Sequence, residues 1–170
     1  MLESVSHHLH ILSQFFERVL IPEVLDTLQI NVSQTQLKFL RFLKNHPGAS
    51  PSEISRAFAI SAPSVTTGLQ RLKNKSLICK AASETDKRSI ILKLSQKGKD
   101  IVNKAEEAEK DMMINLMMKM KKNEVRALQF GLKSFLNQTA KDLKSEKICL
   151  QCGKAHTNEC ILSQYQLKEE

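Results

Sequence analysis

Towards the end of this 170-residue chain, Cys149, Cys152, His156 and Cys160 follow one another as C-x2-C-x3-H-x3-C, four candidate ligands within twelve residues. Cys-x-x-Cys-Gly is a turn in which successive N–H groups can face thiolate sulfurs, and Gly153 permits its left-handed step. Three thiolates and an imidazole suit tetrahedral zinc. A tail this short has too few apolar residues to fold alone, so the metal would have a structural task. The same donors can hold an iron–sulfur cluster. Alternatively, Cys149 and Cys152 can form a thiol–disulfide switch, or the cysteines are incidental. The remaining cysteine, Cys79, sits in the apolar start of the first wing strand and is expected to be a buried small hydrophobe. His7, His8 and His10 read as surface or pocket histidines rather than metal ligands.

A second constellation runs from Ser61 to Gly98. Ser61 can cap a helix with Pro63 in its first turn, where a missing N–H costs nothing. Val65, Leu69 and Leu72 give that helix one apolar stripe, leaving Ser64, Thr66, Thr67, Gln70, Arg71 and Lys73 on its other side. Two short apolar runs follow, Leu77–Cys79 and Ser89–Leu94, around a polar tip carrying Lys87 and Arg88. Between Gly68 and Asp100 nine Lys and Arg stand against three carboxylates, an excess of +6 in a chain whose formal charge is +8. Charge concentrated in this way suits a polyanion and is not needed for folding. A polar-faced helix followed by a basic hairpin is the layout of a winged helix-turn-helix, which implies a reader of duplex DNA.

The rest of the chain supplies what must position these residues. Forty-one per cent apolar residues, four prolines and long periodic runs predict a mostly α fold with a small β wing. The N-terminal helix runs from Leu2 to about Leu28 and bends near Pro22. Asn31 or Ser33 caps the next helix, which ends at His46–Pro47–Gly48, and Ser50 or Ser52 starts a short one containing Ile54 and Phe58. Beyond the wing, one helix runs from Gln96 to about Met120, and another, capped by Asn123, runs to Leu143. Their apolar faces exceed what a small winged unit can cover, so a homodimer is expected. It would set two recognition helices on successive major grooves. The expected division is residues 1–30 as an N-terminal dimerisation helix, 31–98 as the winged helix-turn-helix, 99–146 as C-terminal dimerisation helices and 147–170 as the cysteine-rich tail.

No nucleophile–base pair, phosphate loop or paired carboxylates in an apolar setting are legible, so no catalytic residue is assigned. Only the tail could serve a different class of function, as a thiol oxidoreductase or a protein-docking module. The N-terminus has no basic start and its apolar positions are interrupted, so a soluble cytoplasmic protein without a membrane partner is expected.

From about Leu9 to Leu143 the order of elements resembles the MarR family of bacterial transcriptional regulators. The most specific piece is Thr85-Asp86-Lys87-Arg88-Ser89-Ile90-Ile91-Leu92-Lys93-Leu94-Ser95-Gln96-Lys97-Gly98, which resembles that family's wing. Ser61-Ala62-Pro63-Ser64-Val65-Thr66 resembles the start of its recognition helix. The resemblance implies a homodimeric repressor on a palindromic operator, released by a small-molecule or redox effector. It also implies that Ser61, Pro63, Ser64, Thr66 and Thr67 lie at the major groove, with Gln70, Arg71 and Lys73 further along the helix near phosphates. Arg88 would enter the minor groove, oriented by Asp86, with Lys87 adding charge. Ser76 stands where most members have the glycine ending the recognition helix, and Thr67 where many carry Arg. The cysteine tail has no counterpart in the family pattern.

Overall fold

The computed structural model describes residues 1–82, 90–142 and 160. The chain opens with α1 (Leu2–Phe15), passes through a π-helical turn (Phe16–Leu20) and continues as α2 (Ile21–Thr27). The bend expected at Pro22 takes this form because proline cannot donate to the carbonyl one turn back, so the hydrogen-bond ladder widens just before it. Three helices follow in quick succession: α3 (Gln34–Asn45), α4 (Pro51–Phe58) and α5 (Ala62–Asn74). Strands β1 (Ile78–Ala82) and β2 (Ile90–Leu94) pair antiparallel, with Ile78 opposite Leu94 and Ala82 opposite Ile90. Two long helices, α6 (Gln96–Met118) and α7 (Lys122–Asp142), complete the described fold. This is the mostly α architecture with a two-stranded wing that the residue pattern predicts. Among the described residues, no helix is long and apolar enough to cross a membrane.

Serine side chains start the helices of the winged unit. Ser33 Oγ accepts from the Gln36 N–H (3.2 Å) while Gln36 Oε1 accepts from the Ser33 N–H (3.1 Å), a reciprocal cap. Ser50 and Glu53 repeat the arrangement on α4. The Ser50 N–H and then its hydroxyl hold the Glu53 carboxyl below its ordinary value. Its contribution to folding is therefore complete above the ordinary carboxylate range and is lost as pH falls through the lowered value. Asn123 does not cap α7. The Glu124 carboxylate reaches back to the Lys121 N–H (2.8 Å), so the helix begins at Lys122 and Asn123 lies within its first turn.

The core lies beneath α5. Val65, Leu69 and Leu72 pack with Phe39, Leu40 and Leu43 of α3, Ile54 of α4, Leu77 and Val102 in one apolar cluster. Gly68 lets α3 and α5 approach closely, since a Cβ there would meet Phe39 Cε2 at 2.6 Å. At the end of α5, Ser76 adopts the left-handed conformation (φ 59°). The Leu77 N–H then bonds Leu72 O (3.0 Å) and the Ser76 N–H bonds Lys73 O (2.8 Å), closing the helix in a Schellman turn. Serine thus fills the expected glycine position with the same backbone geometry, at the steric cost of its Cβ.

These contacts predict opposite outcomes for two glycine-related changes. Ser76→Gly should raise stability by about 1 kcal/mol, since it relieves the left-handed strain with only a partial entropic offset. Gly98→Ala should lower stability by ~1–3 kcal/mol, because its Cβ would overlap backbone; the clash is with Leu77 O at 2.1 Å. Thermal melts followed by circular dichroism check both.

Candidate nucleic-acid interface

The local sequence of α5 divides the helix into two faces. Val65, Leu69 and Leu72 are buried, and Ser61, Pro63, Ser64, Thr66, Thr67, Gln70, Arg71 and Lys73 are all exposed. The structure therefore brings every described candidate from this helix onto one solvent-facing surface. At its N-terminus Ser61 Oγ accepts from the Ser64 N–H (3.4 Å) and lies 2.8 Å from Ser64 Oγ. Thr66 Oγ1 donates to Ala62 O (2.9 Å), which commits its hydrogen and leaves the oxygen able to accept. Gln70 Nε2 donates to Asn74 Oδ1 (2.8 Å), one turn along.

Two grooves flank the helix. On one side Pro63, Ser64, Thr67 and Arg71 share a groove with Ser33 and Thr35 at the start of α3, with Phe39 and Ile60 also lining it. On the other, Thr66, Gln70 and Lys73 border a small apolar cleft against Ile78, Cys79 and Leu92 of the wing. The helix thus presents short hydroxyls in its first turns and cations towards its end. Hydroxyls of this kind can bond base edges or phosphates, and a projecting guanidinium or ammonium can neutralise phosphate. Ser33 and Thr35 are additional groove residues that the α5 pattern could not reveal, because they come from a helix about thirty positions earlier.

Not every cation of the basic segment faces solvent freely. Lys75 Nζ donates to Asn31 O (2.6 Å) and Gln36 Oε1 (3.2 Å), tying the end of α5 to the start of α3. Lys97 Nζ reaches Lys75 O (3.4 Å). Both serve structure, which concentrates the available charge of α5 on Arg71 and Lys73. Asp86, Lys87 and Arg88 lie outside the described residues, as do Cys149, Cys152 and His156 of the tail. Cys160 is described and half-buried.

Cys79 is exposed, against the expectation of a buried residue. Alternation on the ribbon explains the difference. Ile78, Leu92 and Leu94 point into the core, so the next residue of β1 must face away, and no described residue buries it there. Its thiol contacts Lys93 O at 3.6 Å. A disulfide reagent should therefore modify Cys79 rapidly in the native protein, and Cys79→Ser should remove one thiol equivalent from the fast phase of a stopped-flow absorbance trace.

The comparisons with known proteins converge on this unit. Residues 30–89 match the MarR family model. YfiV of Bacillus subtilis (strain 168), described as an uncharacterized HTH-type transcriptional regulator, is 29% identical over 79 residues, 46% of this chain and 49% of that protein. The chain thus spans about half the length of that curated relative. FabT of Streptococcus pneumoniae, solved in complex with DNA, is 26% identical with a TM-score of 0.64, covering 82% of this chain and 99% of that one. Wild-type apo MarR from E. coli shares the fold at 24% identity and a TM-score of 0.64, covering 77% of this chain and 95% of that one. By its matched segment and by the fold around it, the chain carries a winged helix-turn-helix unit similar to that of MarR-family proteins.

Proposed function

We propose that the chain is a sequence-specific DNA-binding regulator that acts as a homodimer, repressing transcription from a palindromic operator. The observation that carries this reading is the outer face of α5, where eight exposed residues of groove-binding type stand on a helix seated by a fully buried stripe. FabT, solved on DNA, supports the ligand class. Ser61, Pro63, Ser64, Thr66 and Thr67 would meet the major groove, and Gln70, Arg71 and Lys73 the adjacent phosphates. The wing residues Lys87 and Arg88, with Asp86 orienting Arg88, would extend the contact into the minor groove. The reading involves binding, with no catalytic step.

Unpartnered apolar surface supports the dimer. Leu2, Val5 and Ile11 of α1, Leu116 and Met118 of α6, and Leu128, Phe130, Phe135 and Leu136 of α7 are exposed, Phe130 by 78%. Of the described α7 residues only Ala140 is buried. Helices with this much uncovered apolar area are stable in water when a second copy covers it. For the tail we retain zinc on Cys149, Cys152, His156 and Cys160, argued from the donor set alone. In this reading the effector is a small molecule or an oxidant that changes the spacing of the recognition helices.

Fluorescence anisotropy with duplexes selected from a random pool tests the main reading. Affinity should fall steeply with salt, and Arg71→Ala should weaken all duplexes alike while reducing the log–log salt slope by about 1 per protomer. Thr67→Val, which keeps shape and loses the hydroxyl, should narrow base discrimination and leave that slope unchanged. Loss of neither affinity nor slope in Arg71→Ala would remove α5 from the interface. Elemental analysis of protein purified without oxygen should find about one zinc per chain; iron with acid-labile sulfide would assign a cluster instead.

A further inference from the structure

A line of charge runs between the winged unit and the helices around it. Lys38, Arg41 and Lys44 recur every third residue along one side of α3. Lys44 Nζ bonds Glu106 Oε2 (2.8 Å) and Asn103 Oδ1 (2.9 Å), and Arg41 Nη2 bonds Glu109 Oε1, all on α6. Lys38 faces Glu17 of the π-helical turn at 3.6 Å, a more exposed outer pair. The Arg41–Glu109 pair is enclosed, each side chain only 12% exposed, and Lys44–Glu106 is partly covered at 31% and 20%. Two further polar atoms on the same seam, Arg41 Nε and Glu106 Oε1, are buried and have no hydrogen-bond partner among the described residues.

Such a seam does what apolar packing does poorly. Hydrophobic contact is non-directional and tolerates sliding of one helix over another. An enclosed ion pair is satisfied only in a narrow geometry, and loss of one partner strands the other charge in a poor solvent. Replacing these pairs with leucines would pack at least as well, so their stability contribution does not explain them. The seam joins α3, on which the recognition helix α5 rests, to α6, whose apolar end belongs to the unpartnered surface. Its geometry therefore sets the angle between reading surface and dimer surface.

We propose that Arg41 and Lys44 of α3, with Glu106 and Glu109 of α6, are positioning residues that fix the separation of the two α5 helices in the dimer and hence the half-site spacing the protein accepts. They touch no DNA in this scheme. The inference rests on the homodimer reading above and adds a specificity determinant outside the DNA interface. The unsatisfied Arg41 and Glu106 atoms mark a second pairing open to the same guanidinium, because Glu106 and Glu109 lie one turn apart on α6. A small rearrangement of the seam can exchange one partner for the other.

The experiment uses Arg41→Gln, Glu109→Gln and the exchanged pair Arg41→Glu/Glu109→Arg in the full chain, each checked for folding by circular dichroism. Electron–electron distance measurements between spin labels, carried on an unnatural amino acid at the exposed Asn74 position of each protomer, report helix separation without DNA. The expected result is one narrow distance in wild type, a broadened or shifted distribution in both Gln variants, and recovery in the exchanged pair. Anisotropy on a selected duplex should show a loss of about fivefold in both Gln variants, together with tolerance of altered half-site spacing. The two single variants change net charge in opposite directions, so a simple field effect on DNA would move their affinities oppositely. That pattern with unchanged distances overturns the inference, as does a wild-type distance and spacing preference in both variants. Failure of the wild type itself to bind duplex would reject the DNA reading, while the distance distributions would still decide the seam.

Discussion

The backbone of Leu77 is the point on which the winged unit depends. Its N–H closes α5 on Leu72 O, its side chain is 1% exposed in the core, and its carbonyl accepts the Ser95 N–H (3.0 Å). Gly98 presses against the same carbonyl, and Ser95 Oγ donates to Ser76 O (2.8 Å). One peptide neighbourhood thereby joins the end of the reading helix, the start of the wing and the start of α6. Any side chain at Gly98 would push α6 off this junction. A short motif, Ser-x-x-Gly, thus carries two physical duties: the serine caps α6 and the glycine permits the contact.

Around that junction the interior is built for a rigid helix rather than a large core. Phe39 sits under Gly68, and Phe42 and Phe58 stack edge to face beside it with ring centres 5.6 Å apart. A helix seated on a packed core along its full buried stripe keeps its polar side chains at set positions relative to the wing. That preorganisation is what a groove-binding helix requires, since misplacement by a fraction of a base pair loses contacts in both half-sites. The helices proposed to form the dimer follow the opposite logic. The described parts of α1 and α7 bury almost nothing within one chain, and in the homodimer reading a second copy would cover them.

Much of this was legible in the residues. The stripe of α5 and its cap at Ser61 are local features, written in spacings of three and four and in single side chains, and Ser33 and Ser50 each stood among two cap candidates. The candidates on α5 were legible for the same reason: once three residues face inward, helical geometry sends the rest outward. Cys79 shows the limit. Its apolar neighbours suggested burial, yet period-two alternation on a ribbon with one covered face decides exposure, and which parity faces inward depends on the core beneath.

The set of elements, the polar composition of the reading helix and the donor residues of the tail can be read from the chain alone, because each is carried by residues within a few positions of one another. Only the tertiary structure decided which cations are free to act. Lys75 looked equivalent to Lys73, but it is spent on Asn31 and Gln36, roughly forty positions earlier. Arg41 finds Glu109 sixty-eight positions away. Ion pairs of this kind have no spacing rule, since they depend on how helices cross, and helix crossing is set by packing of the whole core.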